Sequence, residues 1–242
     1  MILAATGAML AGVAATAAYG VAGRKSQLFA SSVYRGPGLR KSIALTFDDG
    51  PSESTPHLLE YLHSRGVEAT FFQCGMNIKR LPAISRDVAA AEHQLGNHSW
   101  SHPKLYLKTP SFINGEFTRT QDLLFAETGV NVNIFRPPYG FRWFGLRAVQ
   151  RKLGLQGVLW TVIGHDWEWP AERIVSLVLG NCSPGGIICL HDGRDVQVKP
   201  DVSQMMAAVK QIVPVLQDQG YCFETVGQLL QQDSPSTCAD IV

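Results

Sequence analysis

Two adjacent aspartates, Asp48 and Asp49, follow a run of apolar residues in the stretch ALTFDDGP (residues 44–51). Asp-Gly and Gly-Pro are common turn signals, so the stretch by itself is consistent with a strand that ends in a tight turn. Two carboxylates at one strand end also allow a division of labour, in which one binds a metal ion and the other acts as a base. Successive strand residues point in different directions, so the two side chains need not compete for one position.

A second candidate is the pair His98 and His102 in NHSWSHP (residues 97–103). Residues four apart lie on the same face of a helical turn, where two imidazoles can bind one metal ion. A carboxylate from another strand end would complete three protein ligands and leave a position for water, which is typical of catalytic rather than structural zinc. Taken alone, such a pair of histidines more often binds nothing.

Arg136 in FRPPYG (residues 135–140) and His191 in CLHDG (residues 189–193) are two further candidates. Two prolines and a glycine can stiffen a loop without any catalytic role, and an isolated histidine is more often part of the core. A guanidinium at a strand end, however, can hold a nearby carboxylate ionised and oriented. A histidine near a metal ion is suited to be a general acid, because its environment can bring its pKa close to neutrality.

The elements that position these residues alternate between short apolar runs and amphipathic stretches, which is the pattern of repeated βα units. Such a pattern favours a parallel sheet or a barrel, in which sites gather at the carboxyl ends of the strands. The candidate residues follow predicted strands, as this arrangement requires. We expect strands at 42–47, 68–73, 132–135, 155–162, 185–190 and 221–226, and helices at 55–65, 77–93, 111–128, 143–153, 171–181, 202–219 and 227–232.

The N-terminal segment 2–23 carries no charge and is rich in alanine and glycine. It is long enough for a helix that crosses the apolar part of a bilayer, which takes about 20 residues. Small residues at positions 15–17 also suit cleavage by a signal peptidase. We therefore expect residues 1–23 to be a signal peptide or a membrane anchor, with a packed N-terminal helix as the alternative. We expect residues 24–41 to form a linker.

The composition of the chain predicts a folded protein with no nucleic-acid partner. The chain has 242 residues, of which 45% are hydrophobic and 17% are charged, so it is not a disordered protein. The formal net charge of +1 gives no reason to expect the concentrated basic face that binds nucleic acid. The five cysteines include no CxxC pair, and their odd number leaves at least one thiol that is free or paired outside the chain.

Five short motifs, TFDDGP, NHSWSHP, RPPYG, HDW and ICLHDG, occur in the order and approximate spacing found in polysaccharide deacetylases. Over residues 42–231 the chain thus resembles carbohydrate esterase family four, whose members share the NodB homology domain. The first three motifs are specific when taken together, whereas the last two are shorter and more degenerate. The resemblance implies an α/β fold, a distorted (β/α) barrel of the polysaccharide deacetylase type, and residues 232–242 are expected to be a tail.

The resemblance also implies a role for each motif residue. Asp48 would be the catalytic base, oriented by Arg136, and His191 would be the general acid, oriented by Asp166. Tyr139 would stabilise the oxyanion through its backbone N–H. The implied metal ligands are Asp49, His98 and His102, and the implied substrate-binding residues are Trp167, Pro138 and Cys189.

Two positions depart from the family's usual pattern. Cys189 stands where the last motif usually has leucine, at a position that the resemblance assigns to the pocket for the acetyl methyl group. Ile163 stands where the fourth motif often has an acidic residue. Neither change removes an implied metal ligand or proton-transfer group, so we expect an active enzyme.

The implied activity is metal-dependent hydrolysis of N-acetyl groups on an amino-sugar glycan, with release of acetate. Chitooligosaccharide, peptidoglycan and exopolysaccharide are all open as substrates, and the implied cofactor is a divalent metal ion, with zinc as first choice. The alternatives are an O-acetyl esterase and a glycan-binding protein without turnover. We expect the protein to be exported or membrane-anchored, in the cell envelope or outside the cell, with membrane association through residues 1–23.

Overall fold

The computed structural model describes residues 2–231, in which strands alternate with helices along the chain. The strands are β1 (Ser32–Val33), β2 (Ser42–Gly50), β3 (Thr70–Gln73), β4 (Gln94–Asn97), β5 (Ile134–Phe135), β6 (Gln156–Val158), β7 (Val162–Ile163), β8 (Ile187–His191) and β9 (Cys222–Phe223). The helices are α1 (Ile2–Ala22), α2 (Thr55–Ser64), α3 (Gly75–Arg80), α4 (Pro82–Ala90), α5 (Pro110–Thr128), α6 (Leu146–Leu153), α7 (Ala171–Asn181), α8 (Ser203–Asp218) and α9 (Val226–Leu230), with a 3-10 turn at Pro138–Gly140.

These strands form one sheet, which curls into a partial barrel with helices packed around it. The strand order is β1-β6-β5-β4-β3-β2-β8-β7, and β9 pairs with β2. Neighbouring strands are parallel, and most of them are connected through helices, as parallel pairing requires. The predicted distorted (β/α) barrel is therefore confirmed.

Strand β2 is the central element of the sheet, and every one of its residues is buried. It pairs with β3 on one side and β8 on the other, which explains its nearly continuous apolar sequence. Because side chains alternate along a strand, Ile43, Leu45 and Phe47 pack into the main hydrophobic core under the helices. Thr46 and Asp48 therefore point to the opposite, inner face of the curled sheet.

The predicted strand over residues 155–162 is wrong as a single element. The chain forms β6 and β7 instead. These two strands lie near opposite ends of the strand order, since β6 pairs with β5 and β7 pairs with β8. Periodicity shows an apolar run but not the neighbour with which each residue pairs. The predicted helix over 77–93 is likewise divided into α3 and α4, and Pro82 begins the second of them.

Residues 24–41 are more closely integrated with the fold than the linker interpretation implies. Strand β1 pairs with β6 at one edge of the sheet, and Ala30 is fully buried. At the other end of this segment, Nη2 of Arg40 lies 2.7 Å from Oε2 of Glu224. Strand β1 is only two residues long, so no apolar run in residues 24–41 indicates it.

The C-terminal end of α1 contacts the domain through Arg142, which is fully buried. The Arg142 guanidinium donates hydrogen bonds to the carbonyl oxygens of Gly23 and Ser26, and its backbone N–H donates to the carbonyl of Val21 at 3.0 Å. Carbonyls at a helix end have no partner within the helix, so these bonds fix the end of α1 against the domain.

Among the residues described, no helix combines the length and the apolar character needed to cross a membrane. The interpretation of residues 1–23 as a signal peptide or anchor stays a prediction. The predicted tail, residues 232–242, lies outside the described residues.

Candidate active site

Three buried side chains, Asp49, His98 and His102, meet at the carboxyl end of the sheet. Oδ1 of Asp49 lies 3.3 Å from Nε2 of His98 and 3.1 Å from Nε2 of His102. This carboxylate oxygen is buried and accepts no hydrogen bond within the described part of the chain. One oxygen and two imidazole nitrogens thus converge on one point, which is a donor set typical of zinc and other divalent metals.

The other ring nitrogen of each histidine faces an acceptor, which fixes the orientation of the ring. Nδ1 of His98 lies 2.7 Å from the carbonyl oxygen of Arg136, and Nδ1 of His102 lies 2.5 Å from Oδ1 of Asp195. We assign the proton of His98 to Nδ1 from this hydrogen bond, and that of His102 to Nδ1 from its close contact with the Asp195 carboxylate. Both Nε2 lone pairs then face Asp49. Three acceptor atoms in such proximity fit a bound cation.

The charge balance of the cluster points in the same direction. Burial works against the ionised form of Asp49, but His102 and His98 outweigh it and lower the pKa of the carboxyl. Burial also works against protonated His102, yet Asp49 and Asp195 outweigh it and raise its pKa. The residues around the point where Asp49, His98 and His102 converge therefore favour a positive charge there.

A bulge in β2 brings Asp48 and Asp49 to the same cavity. Asp48 pairs with Phe72 and Gly50 pairs with Gln73, so Asp49 is left out of the register with β3. The backbone of Asp49 has a φ of 68°, in the left-handed region. Strict alternation would place the two carboxylates on opposite faces, and the bulge re-aims Asp49 toward the inner face that Asp48 already occupies.

The segment that holds His98 and His102 is a loop and not the helical turn that we considered from their spacing. Ser99 and His102 have positive φ values of 66° and 54°, which no α-helix contains. Glu116 on α5 supports the loop, because its Oε2 accepts hydrogen bonds from the backbone N–H groups of Trp100 (3.0 Å) and Ser101 (2.7 Å). The histidines converge because of this loop shape.

Asp48 lies beside this cluster and is held by Arg136, which is fully buried. Nη1 of Arg136 donates to Oδ1 of Asp48 at 2.6 Å and to Oγ1 of Thr46 at 2.8 Å. The guanidinium also donates to the carbonyls of Val158 and Leu159 at the end of β6. A buried, charge-assisted bond of this kind orients one carboxylate oxygen and leaves the second for chemistry.

The partly buried His191 and the buried Asp166 form a second unit across the cavity. Asp166 lies 2.9 Å from Nδ1 of His191 through Oδ1 and accepts the His191 backbone N–H through Oδ2, also at 2.9 Å. Burial disfavours the charged imidazole, but Asp166, and then Asp49 and Asp48, outweigh it and raise the His191 pKa to about 9. A histidine that holds its proton at neutral pH can donate it to a leaving group.

These groups open into one cavity of about 550 Å³. Its walls include Trp160, Ile163 and Trp167, and Tyr139 is 43% exposed at the mouth. Rings and a few convergent polar groups are typical of a ligand site. Eight residues named from the sequence line the cavity: Asp48, Asp49, His98, His102, Tyr139, Ile163, Trp167 and His191. Asp195, which was not named from the sequence, lines it as well.

Two of the residues implied to bind substrate do not line this cavity within the described structure. Pro138 is buried in the 3-10 turn, and Cys189 is fully buried on β8. Sγ of Cys189 lies 3.5 Å from Oδ2 of Asp48, and burial together with the Asp48 charge raises its pKa well above its usual range. Cys189 therefore contacts the carboxylate from behind as a neutral thiol.

Two residues of this site were missed in the sequence. Glu116 lies within a helix that has no motif, and Asp195 follows CLHDG in a loop without periodicity. Both act through long-range contacts, to the loop at 98–102 and to His102 respectively. No local pattern in a single sequence indicates such contacts.

Comparison with known proteins agrees with this geometry. Residues 35–158 match the family model for polysaccharide deacetylase. A chitooligosaccharide deacetylase from Azorhizobium caulinodans is 38% identical over 194 residues, which cover 76% of this chain and 92% of that protein.

Solved structures have the same fold. A peptidoglycan N-acetylglucosamine deacetylase, Bc1960, aligns with a TM-score of 0.77 and 32% identity over 82% of this chain and 92% of that one. BA3943 from Bacillus anthracis, a CE4 family pseudoenzyme, aligns with a TM-score of 0.76 and 25% identity over 84% of this chain and 69% of that one. The chain therefore belongs to the polysaccharide deacetylase family, carbohydrate esterase family four.

Proposed function

We propose that this protein is a metal-dependent hydrolase that removes N-acetyl groups from an amino-sugar glycan and releases acetate. One observation carries the proposal: a three-donor cluster, a carboxylate held by arginine and a histidine held by aspartate all face the same cavity. That combination provides a cation site, a base and an acid within one pocket, which is what amide hydrolysis requires.

We propose that Asp49, His98 and His102 bind the metal ion and that the ion is zinc. The two-nitrogen, one-oxygen donor set supports this choice, since three protein ligands with an open position are typical of catalytic zinc. A divalent ion bound there supplies Lewis-acid chemistry, which lowers the pKa of water and polarises a carbonyl group. The ring orientations support the assignment, because both Nε2 atoms face the Asp49 oxygen.

In the proposed reaction, Asp48 accepts a proton from water as the water oxygen forms a bond to the acetyl carbonyl carbon. The hydrogen bond from Arg136 supports this role, since it orients the Asp48 carboxylate. The backbone N–H of Tyr139 is proposed to donate to the developing oxyanion.

His191 is proposed to donate its proton to the sugar nitrogen as the carbon–nitrogen bond breaks. The products are acetate and a free amino sugar. Asp166 supports this role because it holds Nδ1 and raises the pKa of the ring, so that the ring carries a proton to give.

The proposed substrates are chitooligosaccharide and peptidoglycan, the glycans on which the relatives named above act. The aromatic walls of the cavity support a sugar substrate, because Trp160, Trp167 and Tyr139 offer apolar ring faces beside polar groups. We further propose that Trp167 is a wall of the acetyl-sugar pocket, since its ring lies 5.1 Å from that of His191.

We also propose that the protein is exported to the cell envelope or beyond. Cys222 is disulfide-bonded, and disulfides persist mainly in oxidising compartments outside the cytosol. A signal peptide or anchor at residues 1–23 would supply the export route. The test is fractionation of cells that express the full chain, in which a purely cytosolic protein would contradict this proposal.

A glycan-binding protein without turnover is the second candidate, because one structural neighbour is described as a pseudoenzyme. The presence of Asp48, Asp49 and His191 in contact with the same cavity favours an active enzyme.

The test of the proposed function is an acetate-release screen on chitooligosaccharides, peptidoglycan and acetylated xylan, with zinc-loaded protein, chelator-treated protein and the Asp48→Asn variant. Zinc-dependent release from an N-acetylated glycan, lost in the variant, is the expected result. Release from xylan alone would indicate an O-acetyl esterase. Binding of chitooligosaccharide with release no faster than that of Asp48→Asn would indicate a binding protein.

A further inference from the structure

Asp195 connects three parts of the site from a loop that follows β8. Gly193 packs so closely on Asp49 that a Cβ at this position would lie 2.1 Å from the Asp49 carbonyl oxygen. Two residues later, the backbone N–H of Asp195 donates to Oδ2 of Asp49 at 2.8 Å. The amide of Asn77 donates to the carbonyls of both Asp49 (2.6 Å) and Asp195 (2.9 Å). The loop is therefore fixed against one proposed metal ligand.

The Asp195 side chain contacts two more groups of the site with a single oxygen. Its Oδ1 lies 2.5 Å from Nδ1 of His102 and accepts a hydrogen bond from the Tyr139 hydroxyl at 3.1 Å. The ring of Tyr139 in turn packs on the ring of His102, with centroids 4.6 Å apart. One carboxylate oxygen thus lies between a proposed metal ligand and a wall of the substrate cavity.

The two histidines of the cluster differ in how they are oriented. His98 relies on a backbone carbonyl, that of Arg136, which side-chain substitution does not remove. His102 relies on the side chain of Asp195. A carboxylate that accepts the Nδ1 proton of a metal-binding histidine fixes its tautomer and makes Nε2 a stronger ligand.

We propose that Asp195 is a positioning residue, whose carboxylate orients His102 for the metal ion and holds Tyr139 against the cavity. The inference rests on the proposed function for the metal site. It goes beyond the five sequence motifs, because Asp195 lies outside all of them. It predicts two separable consequences: a change in metal affinity through His102 and a change in substrate binding through Tyr139.

The test measures the zinc affinity of the metal-free protein by competition with a chromophoric chelator. Asp195→Gly removes the carboxylate without strain, because glycine tolerates the φ of 49° at this position. Asp195→Ser, whose hydroxyl is too short to reach Nδ1, serves as a second variant. Both are expected to lose about 10- to 100-fold in zinc affinity, the usual effect of removing such a partner. Asp195→Asn, which keeps an acceptor oxygen, is expected to lose less.

Two further variants separate orientation from general disruption. Val198→Ala changes an exposed side chain in the same loop and is expected to keep wild-type affinity. Tyr139→Phe removes only the bond to Asp195, so it is expected to keep zinc affinity and to raise KM. The absorption spectrum of the cobalt-loaded protein gives a second readout, which is expected to change in Asp195→Gly and not in Tyr139→Phe.

Wild-type zinc affinity in Asp195→Gly or in Asp195→Ser would overturn the proposal, even if the thermal stability of the metal-free protein fell. These affinities are measured without substrate. A protein that binds zinc and releases no acetate would refute the proposed function. The zinc affinities of the variants would still decide the role of Asp195.

Discussion

Two carboxylate–histidine pairs, Asp166–His191 and Asp195–His102, present their histidines to the cavity; they share a chemistry and differ in their surroundings. In both, a carboxylate oxygen faces Nδ1 of the ring, at 2.9 Å and 2.5 Å respectively. The far side of His102 faces Asp49, whose carboxylate oxygen lies 3.1 Å from Nε2. Identical residue types thus give a proposed proton donor in one place and a proposed metal ligand in the other, because the group beyond the second nitrogen differs.

The pairs also differ in how firmly they are held. Asp166 is buried and bonds both the ring and the backbone of His191. The Asp195 side chain is 44% exposed and extends from a loop. The first pair lies at a strand end within recognisable motifs, whereas the second depends on where a loop passes.

The largest effect is expected for Asp49→Ala, which removes the group that gives His102 its proposed role. The loss of one of the three proposed ligands is expected to lower zinc affinity more than the loss of a residue that only hydrogen-bonds to a ligand. That smaller loss is typically about 10- to 100-fold. Equilibrium dialysis with metal analysis measures this. Asp87→Ala, on the exposed surface of α4, is the matched control, and full zinc occupancy in Asp49→Ala would contradict the assignment of the site.

The next largest effect is expected for Asp48→Asn. Asparagine keeps the shape of the side chain but cannot accept the proton, so kcat should fall by about 10²- to 10⁴-fold. Zinc content should stay at the wild-type level, because the proposed metal ligands are unchanged. Metal analysis and acetate release on the same preparation distinguish the two adjacent aspartates. A loss of zinc in Asp48→Asn would show that their roles are not divided as proposed.

Asp166→Asn is expected to make His191 a weaker base and shift the pH profile. Asp166 raises the pKa of His191 against burial, to about 9, so the ring keeps its proton up to alkaline pH. Without the carboxylate, the basic limb of kcat/KM should move to lower pH by about one to three units. Glu168→Gln, an exposed neighbour, should leave the limb in place. An unchanged limb in Asp166→Asn would exclude His191 as the group that titrates there.

The smallest effect concerns His93, a buried histidine with no carboxylate partner in the described structure. Burial alone lowers its pKa to about 4. The unfolded chain takes up a proton near the ordinary value of about 6.5, so stability is expected to fall as the pH drops from there to about 4, by at most about 3 kcal/mol. Urea unfolding at several pH values measures this slope.

His93→Gln should flatten that slope, because an amide oxygen can still accept the Ala69 N–H that Nδ1 accepts now. His57→Gln, at an exposed position of α2, should leave it unchanged. The same slope in His93→Gln as in the wild type would show that another group is responsible. The His93 side chain is only 7% exposed, so protonation of its ring in the folded protein would place a charge in the interior.

The fold class, the family and the residue types of the site could be predicted from the sequence alone. Alternating apolar runs and amphipathic stretches are local properties, and they predicted parallel βα architecture correctly. The motifs placed Asp48, Arg136 and His191 at strand ends. In the structure Asp48 and His191 line one cavity, and Arg136 is buried behind Asp48. Such predictions succeed because each depends on residues close together in the chain.

Which of these groups come into contact depends on the tertiary structure. The bulge that re-aims Asp49, the loop shape that joins His98 to His102, and the contact of Asp195 with His102 all depend on pairing between distant segments. Asp195 lies 93 residues from His102 in the chain and 2.5 Å from it in space. The pairing of β2 with β3 and β8, and of β3 with β4, brings together the strand ends that carry these groups, and no local pattern in the sequence encodes that register.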